Sequence, residues 1–188
     1  MDPINWPSHF IFTPLPFSQD LHPSIFRFLL ATGNDQDLEV IHPLLESATV
    51  HPDLEIRQIR DKGHVLGSSD PIQHGLFAKK QISQGIDLGT YSGEMKLLNA
   101  DFPMVGGQYN YALAMKLPGF TFVIDAKKWA NEMAFMNDYR KIAEKPNVYI
   151  RTVTHRGCYY SMCQTLCPIS EGEELLTDYG VNYWKCHK

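Results

Sequence analysis

Apolar and polar positions change period part-way along the chain. In "PSIFRFLLA" (23–31) and "DQDLEVIHPLLESA" (35–48) the apolar residues recur at helical spacing, which predicts two helices. Ser24 and Asp35 stand where N-caps belong, and Pro43 kinks the second helix. From about residue 54 the runs shorten. "LEIRQI" (54–59), "GLFA" (75–78), "GIDLGTYSG" (85–93), "NYALAM" (110–115), "TFVIDA" (121–126) and "CYYSMCQTLC" (158–167) are separated by Gly, Pro, Asp and Ser and read as strands. "KWANEMAFMND" (128–138) reads as a short helical stretch among them. Ahead of both regimes, "NWPSHFIFTPLPF" (5–17) is too rich in proline for helix and predicts an extended arm lying on the body. The expected architecture is a helical or extended region over 1–53, then a mainly β, β-rich α+β body over 54–188.

Composition adds little to that picture and excludes some functions. A hydrophobic content of 44% with 12% aromatic residues marks a folded chain. The formal net charge of -4 argues against nonspecific binding of nucleic acid, which needs a basic face, and is compatible with a basic peptide partner. The first twenty residues carry no Lys or Arg and lead into no long apolar run. Neither a secretory signal nor a membrane span is expected, so the expected location is cytoplasmic or nuclear. Three of the four cysteines, Cys158, Cys163 and Cys167, share one strand, and Cys186 follows. Thiols on one strand point in differing directions and cannot all pair, so buried, reduced cysteines are expected.

Candidate chemistry begins at "EGEELLTDYGVNYW" (171–184). Tyr183 and Trp184 would be wasted on a frayed tail, so this segment is expected to pack inward and hold Tyr179 in a defined place. Three further stretches accompany it: "QHGLFAKKQISQG" (73–85), "TYSGE" (90–94) and "VIDAKKWANEMAFMNDYR" (123–140). Taken singly, each is an ordinary turn or strand end, because Gly, Asn and Asp favour such places. Their order and spacing along one chain carry the signal.

In that order the stretches resemble the SET-domain protein lysine methyltransferases. "YSGE" is similar to the family's Tyr-x-Gly-Glu, "VIDAKKWANEMAFMN" to its Asp-Ala segment running into Arg-Phe-Ile-Asn-His-Ser, and "GEELLTDYG" to Gly-Glu-Glu-Leu-x-x-Asp-Tyr-Gly. The resemblance covers about residues 55–184. It implies small β-sheets around a knot-like crossing, in which the C-terminal segment threads beneath the Asn-His loop and brings Tyr179 and Gly180 beside Asn137. It implies S-adenosylmethionine as cofactor and transfer of its methyl group to a lysine of a protein, a histone or histone-like protein by default. Tyr179 is implied as the catalytic tyrosine at the base of a lysine channel, and Tyr91 as the opposite wall. Gln73, His74 and Gly75 would meet the methionine end of the cofactor through their backbone. Asn137 and Asp138 would contact its amino group and adenine, and Trp184 or Tyr183 would stack on the adenine. The competing role of Trp184 is to anchor the C-terminal segment in the core.

Several positions depart from the family pattern. Gln73 replaces the first glycine of Gly-x-Gly, Asp138 the His after Asn, and Ala134 the Arg before Phe. The family's zinc cluster draws three cysteines from beyond the catalytic tyrosine and one from the Asn-His-Ser-Cys motif. Here only Cys186 follows Tyr179 and Arg140 takes the other place, so no metal is expected. His155, Cys158, Cys163, Cys186 and His187 match no ligand spacing either. The residue two before the family's catalytic tyrosine is often aromatic and limits the number of methyl groups. It is Thr177 here, which implies more than one transfer, unless Tyr149 fills the same space from a neighbouring strand. Two rival functions stand beside this one. A catalytically silent SET domain would bind a peptide or protein, with Gln73 and Asp138 as marks of decay, but Tyr91 and Tyr179 are both retained. A hydrolase built on Cys158 and His155 would need an activated thiolate, which nothing in the pattern supplies. If the source is bacterial, delivery into a host cell and action on host chromatin enter the range of roles. The sequence specifies no oligomer.

Overall fold

A computed structural model describes residues 6–13, 51–69, 71–98, 112–117, 120–155 and 158–186. The helices expected over 23–31 and 35–48 lie outside these residues. The described elements are β1 (Ile11–Phe12), β2 (Leu54–Gln58), β3 (His74–Ala78), β4 (Asp87–Thr90), β5 (Glu94–Leu98), β6 (Ala112–Leu117) and β7 (Phe120–Asp125). They continue with β8 (Trp129–Ala130), a 3-10 turn (Glu132–Phe135), β9 (Asn137–Asp138), β10 (Val148–His155), β11 (Cys158–Thr165), β12 (Leu176–Thr177) and one short helix, α1 (Gly180–Cys186). The fold is mainly β, as the short alternating runs imply.

The strands form small sheets rather than one large one. β2 pairs with β3, β7 lies between β5 and β6, and β11 lies between β10 and β4. The β10–β11 hairpin keeps Val148 opposite Thr165 and Ile150 opposite Cys163 on its core face. The next residues along, Tyr149, Arg151 and Gln164, therefore point to the other face, since side chains alternate along a strand. β10 itself, "VYIRTVTH", is β-branched and alternating, and it supplies the partner that the expected strand at 158–167 lacked.

The stretch 128–138 differs from the helix expected there. Only Glu132–Phe135 coil, in a 3-10 turn closed by Ala134 N–H to Asn131 O and Met136 N–H to Met133 O. Its flanks pair elsewhere: β8 with β1, and β9 with β12, both in parallel. The apolar spacing that suggests a helix arises because all four residues of the single turn are buried. The arm is seen over residues 6–13. Phe10 enters the core, and Trp6 meets the rings of Phe12 and Phe135 edge to face.

Segment 172–179 is threaded between two parts of the body. On one side Ala78 N–H donates to Glu173 O, and Leu175 N–H to Leu76 O. On the other, Leu176 aligns with Asn137 and Thr177 with Asp138, while Tyr139 N–H donates to Thr177 O and Asn147 N–H to Leu176 O. Gly180, at φ 81°, then turns the chain into α1 in a backbone conformation costly to other residues.

Candidate functional site

The crossing brings four of the expected site residues to one place. Tyr179 leaves β12 with its N–H donated to Asp138 Oδ2 (2.8 Å) and its hydroxyl donated to Met136 O (2.7 Å). A phenol has one proton to give. With that proton spent on Met136, the lone pairs of the Tyr179 oxygen are what it can offer to a neighbouring molecule.

Asn137, next to Met136, has its side chain oriented by two acceptors. Its amide nitrogen donates to His74 O (3.1 Å) and to Glu174 Oε1 (2.8 Å). A carbonyl and a carboxylate only accept, so the NH2 must face them and the orientation of the amide is fixed. Among the described residues no donor reaches Asn137 Oδ1, which is left as an acceptor. Gly75 lies against the same carboxylate. A Cβ there would stand 2.7 Å from Glu174 Oε1 and 2.8 Å from the Phe77 ring, closer than side chains tolerate, so the approach requires glycine. Glu174 carries no role in the motif reading. Its place in the Gly-Glu-Glu-Leu stretch was the signal that could have found it.

Asp138 does not reach outward. Its carboxylate is buried and accepts from Tyr179 N–H, Arg140 N–H and Arg140 Nη1. Arg140 Nη1 also reaches Asp178 Oδ1 at 2.7 Å, so one guanidinium fastens the segments on both sides of the crossing. Its hydrogen bond to Asp178, ahead of the opposing effect of burial, holds that carboxyl below its usual range. The side chain of Asp138 thus maintains the crossing, and only its main chain is left for a ligand.

The remaining expected residues are arranged around this centre. Gln73 donates from its side-chain amide to Pro71 O (3.0 Å), so the side chain folds toward its own loop, while its main-chain carbonyl accepts from Ile59 N–H. His74 is half-buried. Burial, and then the nearby His9, hold its pKa below the usual value. Tyr91 follows β4, is tied by its N–H to Ser161 O, and packs in the same core cluster as Phe135 and Met136. It follows a strand of a different sheet from the one that Tyr179 follows. Trp184 lies on α1, edge to face with Tyr183, which is edge to face with Tyr179. Its indole N–H is enclosed and makes no hydrogen bond to any described residue.

Cys163 is fully enclosed in the core, and burial, reinforced by the Glu132 carboxylate, pushes its thiol strongly up. It sits five residues from Cys158 along β11, about 17 Å at the rise of a strand, so the two cannot share one metal ion. His155 and Cys158 are cross-strand neighbours at the turn end of the hairpin, on strands and not at a helix N-terminus. Among the described residues no three His, Cys, Asp or Glu side chains are grouped to hold a metal, and no helix is long and apolar enough to cross a membrane.

Glu132 is a buried carboxyl that sequence reasoning missed. Burial raises its pKa against the His51 N–H (2.8 Å) and its own N–H, and the bond to His51 ties the start of the β body to the 3-10 turn. Nothing in "WANEMAF" distinguishes it from a surface glutamate.

Comparison with known proteins adds the following. The SET-domain family model matches residues 73–180. The curated protein "Histone-lysine N-methyltransferase, H3 lysine-9 specific SUVH1" of Nicotiana tabacum is 28% identical over 135 residues, which are 69% of this chain and 19% of that protein. The chain therefore spans about a fifth of the length of that relative. Among solved structures, Chaetomium thermophilum Polycomb Repressive Complex 2 is similar in an autoinhibited conformation bound to S-adenosylmethionine, with a TM-score of 0.52, 18% identity, and coverage of 74% of this chain and 16% of that one. The same complex bound to GSK126 also gives 0.52, at 17% identity, covering 74% of this chain and 17% of that one. At such identity the likeness concerns the fold.

Proposed function

The chain belongs to the SET-domain family, and from that premise we propose that it is a protein lysine N-methyltransferase that uses S-adenosylmethionine. The observation that carries the reading is the pairing of Tyr179, whose proton is spent on Met136 O, with Asn137, whose amide nitrogen is spent on His74 and Glu174. Both side chains present oxygen lone pairs beside one turn of backbone. That arrangement fits a ligand carrying an ammonium group and a positive sulfur better than it fits an anion.

Asn137 Oδ1 would accept from the amino group of the cofactor, and the backbone at His74 and Gly75 would hold its methionine end. With Gln73 folded onto Pro71, its side chain does not narrow that approach. The cofactor, when bound, supplies an electrophilic methyl group. The chain's own work is on the lysine. A free lysine has a pKa of about 10.4 and is protonated at neutral pH, so its lone pair is not available. Tyr91 and Tyr179 wall an apolar channel that disfavours the ammonium form and lowers that value. The Tyr179 oxygen, able only to accept, would take a hydrogen bond from an amine N–H and so orient the amine, leaving its lone pair available. Alignment and exclusion of water then supply most of the rate.

The substrate is a lysine-rich protein, histone or histone-like, which a chain of net charge -4 would attract rather than repel. Action in the nucleus or cytoplasm follows from such a substrate. Incubation with radiolabelled S-adenosylmethionine, a histone panel and cell lysate is the test. Transfer of label to a basic protein is expected. Tight cofactor binding with no labelled protein would favour the silent binding module instead.

A further inference from the structure

Residues 59–69 precede the stretch matched to the family, yet one side chain from them reaches the candidate cofactor site. The segment is a closed turn. Gly63 N–H donates to Asp61 Oδ1, His64 N–H to Asp61 O, and Gly67 N–H to His64 O. A Cβ at Gly67 would lie 1.6 Å from Asp61 O, so the turn closes only around glycine. Within it, Leu66 N–H donates to His64 Nδ1 (3.1 Å). A ring nitrogen that accepts carries no proton, which puts the proton of the neutral ring on Nε2. Nε2 lies 2.9 Å from Glu174 Oε2, the oxygen not used by Asn137.

We propose that His64 is a positioning residue for the cofactor site. By donating to Glu174 Oε2 it holds that buried carboxylate against Gly75, and the carboxylate in turn holds the Asn137 amide with its oxygen outward. Without the donor, Glu174 keeps Asn137 as a partner but can rotate about its terminal bond, and the orientation of Asn137 loosens with it. The consequence for methyl transfer rests on the cofactor reading above, whereas the positioning itself can be observed without any ligand.

Two variants separate positioning from mere packing. His64→Phe keeps a ring and removes both nitrogens. His64→Gln can donate to Glu174 and accept from Leu66 N–H. Nitrogen NMR of the wild type is expected to show Nδ1 as the accepting nitrogen of His64 and the ring proton on Nε2. The Asn137 side-chain NH2, assigned by its loss in Asn137→Ala, should exchange with solvent about tenfold faster in His64→Phe, the scale of losing one hydrogen bond to a charged group, and within about threefold of wild type in His64→Gln. The dissociation constant for S-adenosylhomocysteine should rise and recover in parallel, with kcat at saturating cofactor within about twofold of wild type. A proton on Nδ1, unchanged Asn137 exchange in His64→Phe, or His64→Gln failing as badly as His64→Phe would overturn the proposal. Should His64→Phe not fold, the wild-type tautomer and the Asn137 exchange in His64→Gln decide. If the wild type binds no S-adenosylhomocysteine, the proposed function falls, and the NMR measurements alone decide the role of His64.

Discussion

The hydroxyl of Tyr179 donates to the main-chain oxygen of Met136 across 2.7 Å, joining residues 43 positions apart in the chain. Met136 directly precedes Asn137, so this bond fixes the distance between the proposed methyl-transfer tyrosine and the proposed cofactor amide. Tyr179→Phe removes it with little change in volume. Turnover should fall about a hundredfold or more, the scale of losing one preorganised polar contact at a reacting centre. Cofactor affinity should stay within a few-fold, because Asn137 keeps both of its partners. Stability should drop by about 1 kcal/mol, since Met136 O loses its donor. Labelled-methyl transfer, calorimetry and urea unfolding read the three effects separately, and near-normal turnover would remove Tyr179 from the chemistry.

Gly75→Ala tests the contact between β3 and Glu174. The added methyl would meet the carboxylate at 2.7 Å and the Phe77 ring at 2.8 Å, so one of them must move. Overpacking of this kind costs about 1–3 kcal/mol. Because Glu174 also holds Asn137, cofactor affinity should fall along with stability. A variant that loses stability and binds the cofactor normally would show that Phe77 alone had yielded.

The Arg140 staple should give an acid-dependent stability term. Its guanidinium holds the Asp178 carboxyl below its usual range. A depressed folded value stabilises the fold above the unfolded carboxylate pKa, about 3.9, and that contribution is lost as pH falls through the folded value. Arg140→Met should therefore lower the urea midpoint at pH 7 more than at pH 3. Asp178 is 48% exposed, so the effect at pH 7 should also shrink in high salt. An equal loss at both pH values would mean that the packing of the arginine stem, not its charge, holds the crossing.

The sequence reveals some of these features and conceals others for a physical reason. "LEIRQI", "GLFA" and "TFVIDA" are strands as expected, because short apolar runs bounded by turn-forming residues can be read locally. Asn137 and Tyr179 were legible from motif order, and the threading of segment 172–179 brings them together. The His64–Glu174 contact spans 110 residues, and a hydrogen bond between distant loops imposes no period on either of them. Asp138 was read as a ligand contact from its place after Asn137. The partners of its side chain, Arg140 and the Tyr179 N–H, depend on a crossing that periodicity does not encode. The stretch at 128–138 was misread as helix because a buried 3-10 turn and a buried helical face leave the same apolar spacing.

Product multiplicity is the last consequence of this geometry. The resemblance left two residues competing for the space beside the lysine amine: Thr177, too small to fill it, and Tyr149, large enough to do so. Tyr149 is committed elsewhere. It follows Val148 on β10, and Val148 faces the core, so Tyr149 projects from the opposite face of the hairpin. There its hydroxyl donates to Gln164 Oε1 (2.7 Å), and Gln164 in turn donates to Asp87, which also takes Arg151. Thr177 is buried on β12, opposite Asp138 and two residues before Tyr179. We therefore predict that the space beside the amine is left open, that a methylated amine can turn and present its lone pair again, and that di- or trimethyl product accumulates. Tyr149→Phe should leave the product distribution unchanged, because the hydroxyl it removes is committed to Gln164. Thr177→Ser, which adds no volume, should keep multiple transfer, whereas Thr177→Tyr, if it folds despite the crowding, should restrict the product to one methyl. Mass spectrometry of a good peptide substrate over long reaction times distinguishes these outcomes. Pure monomethyl product from the wild type, converted to dimethyl by Tyr149→Phe, would mean that Tyr149 reaches the amine after all.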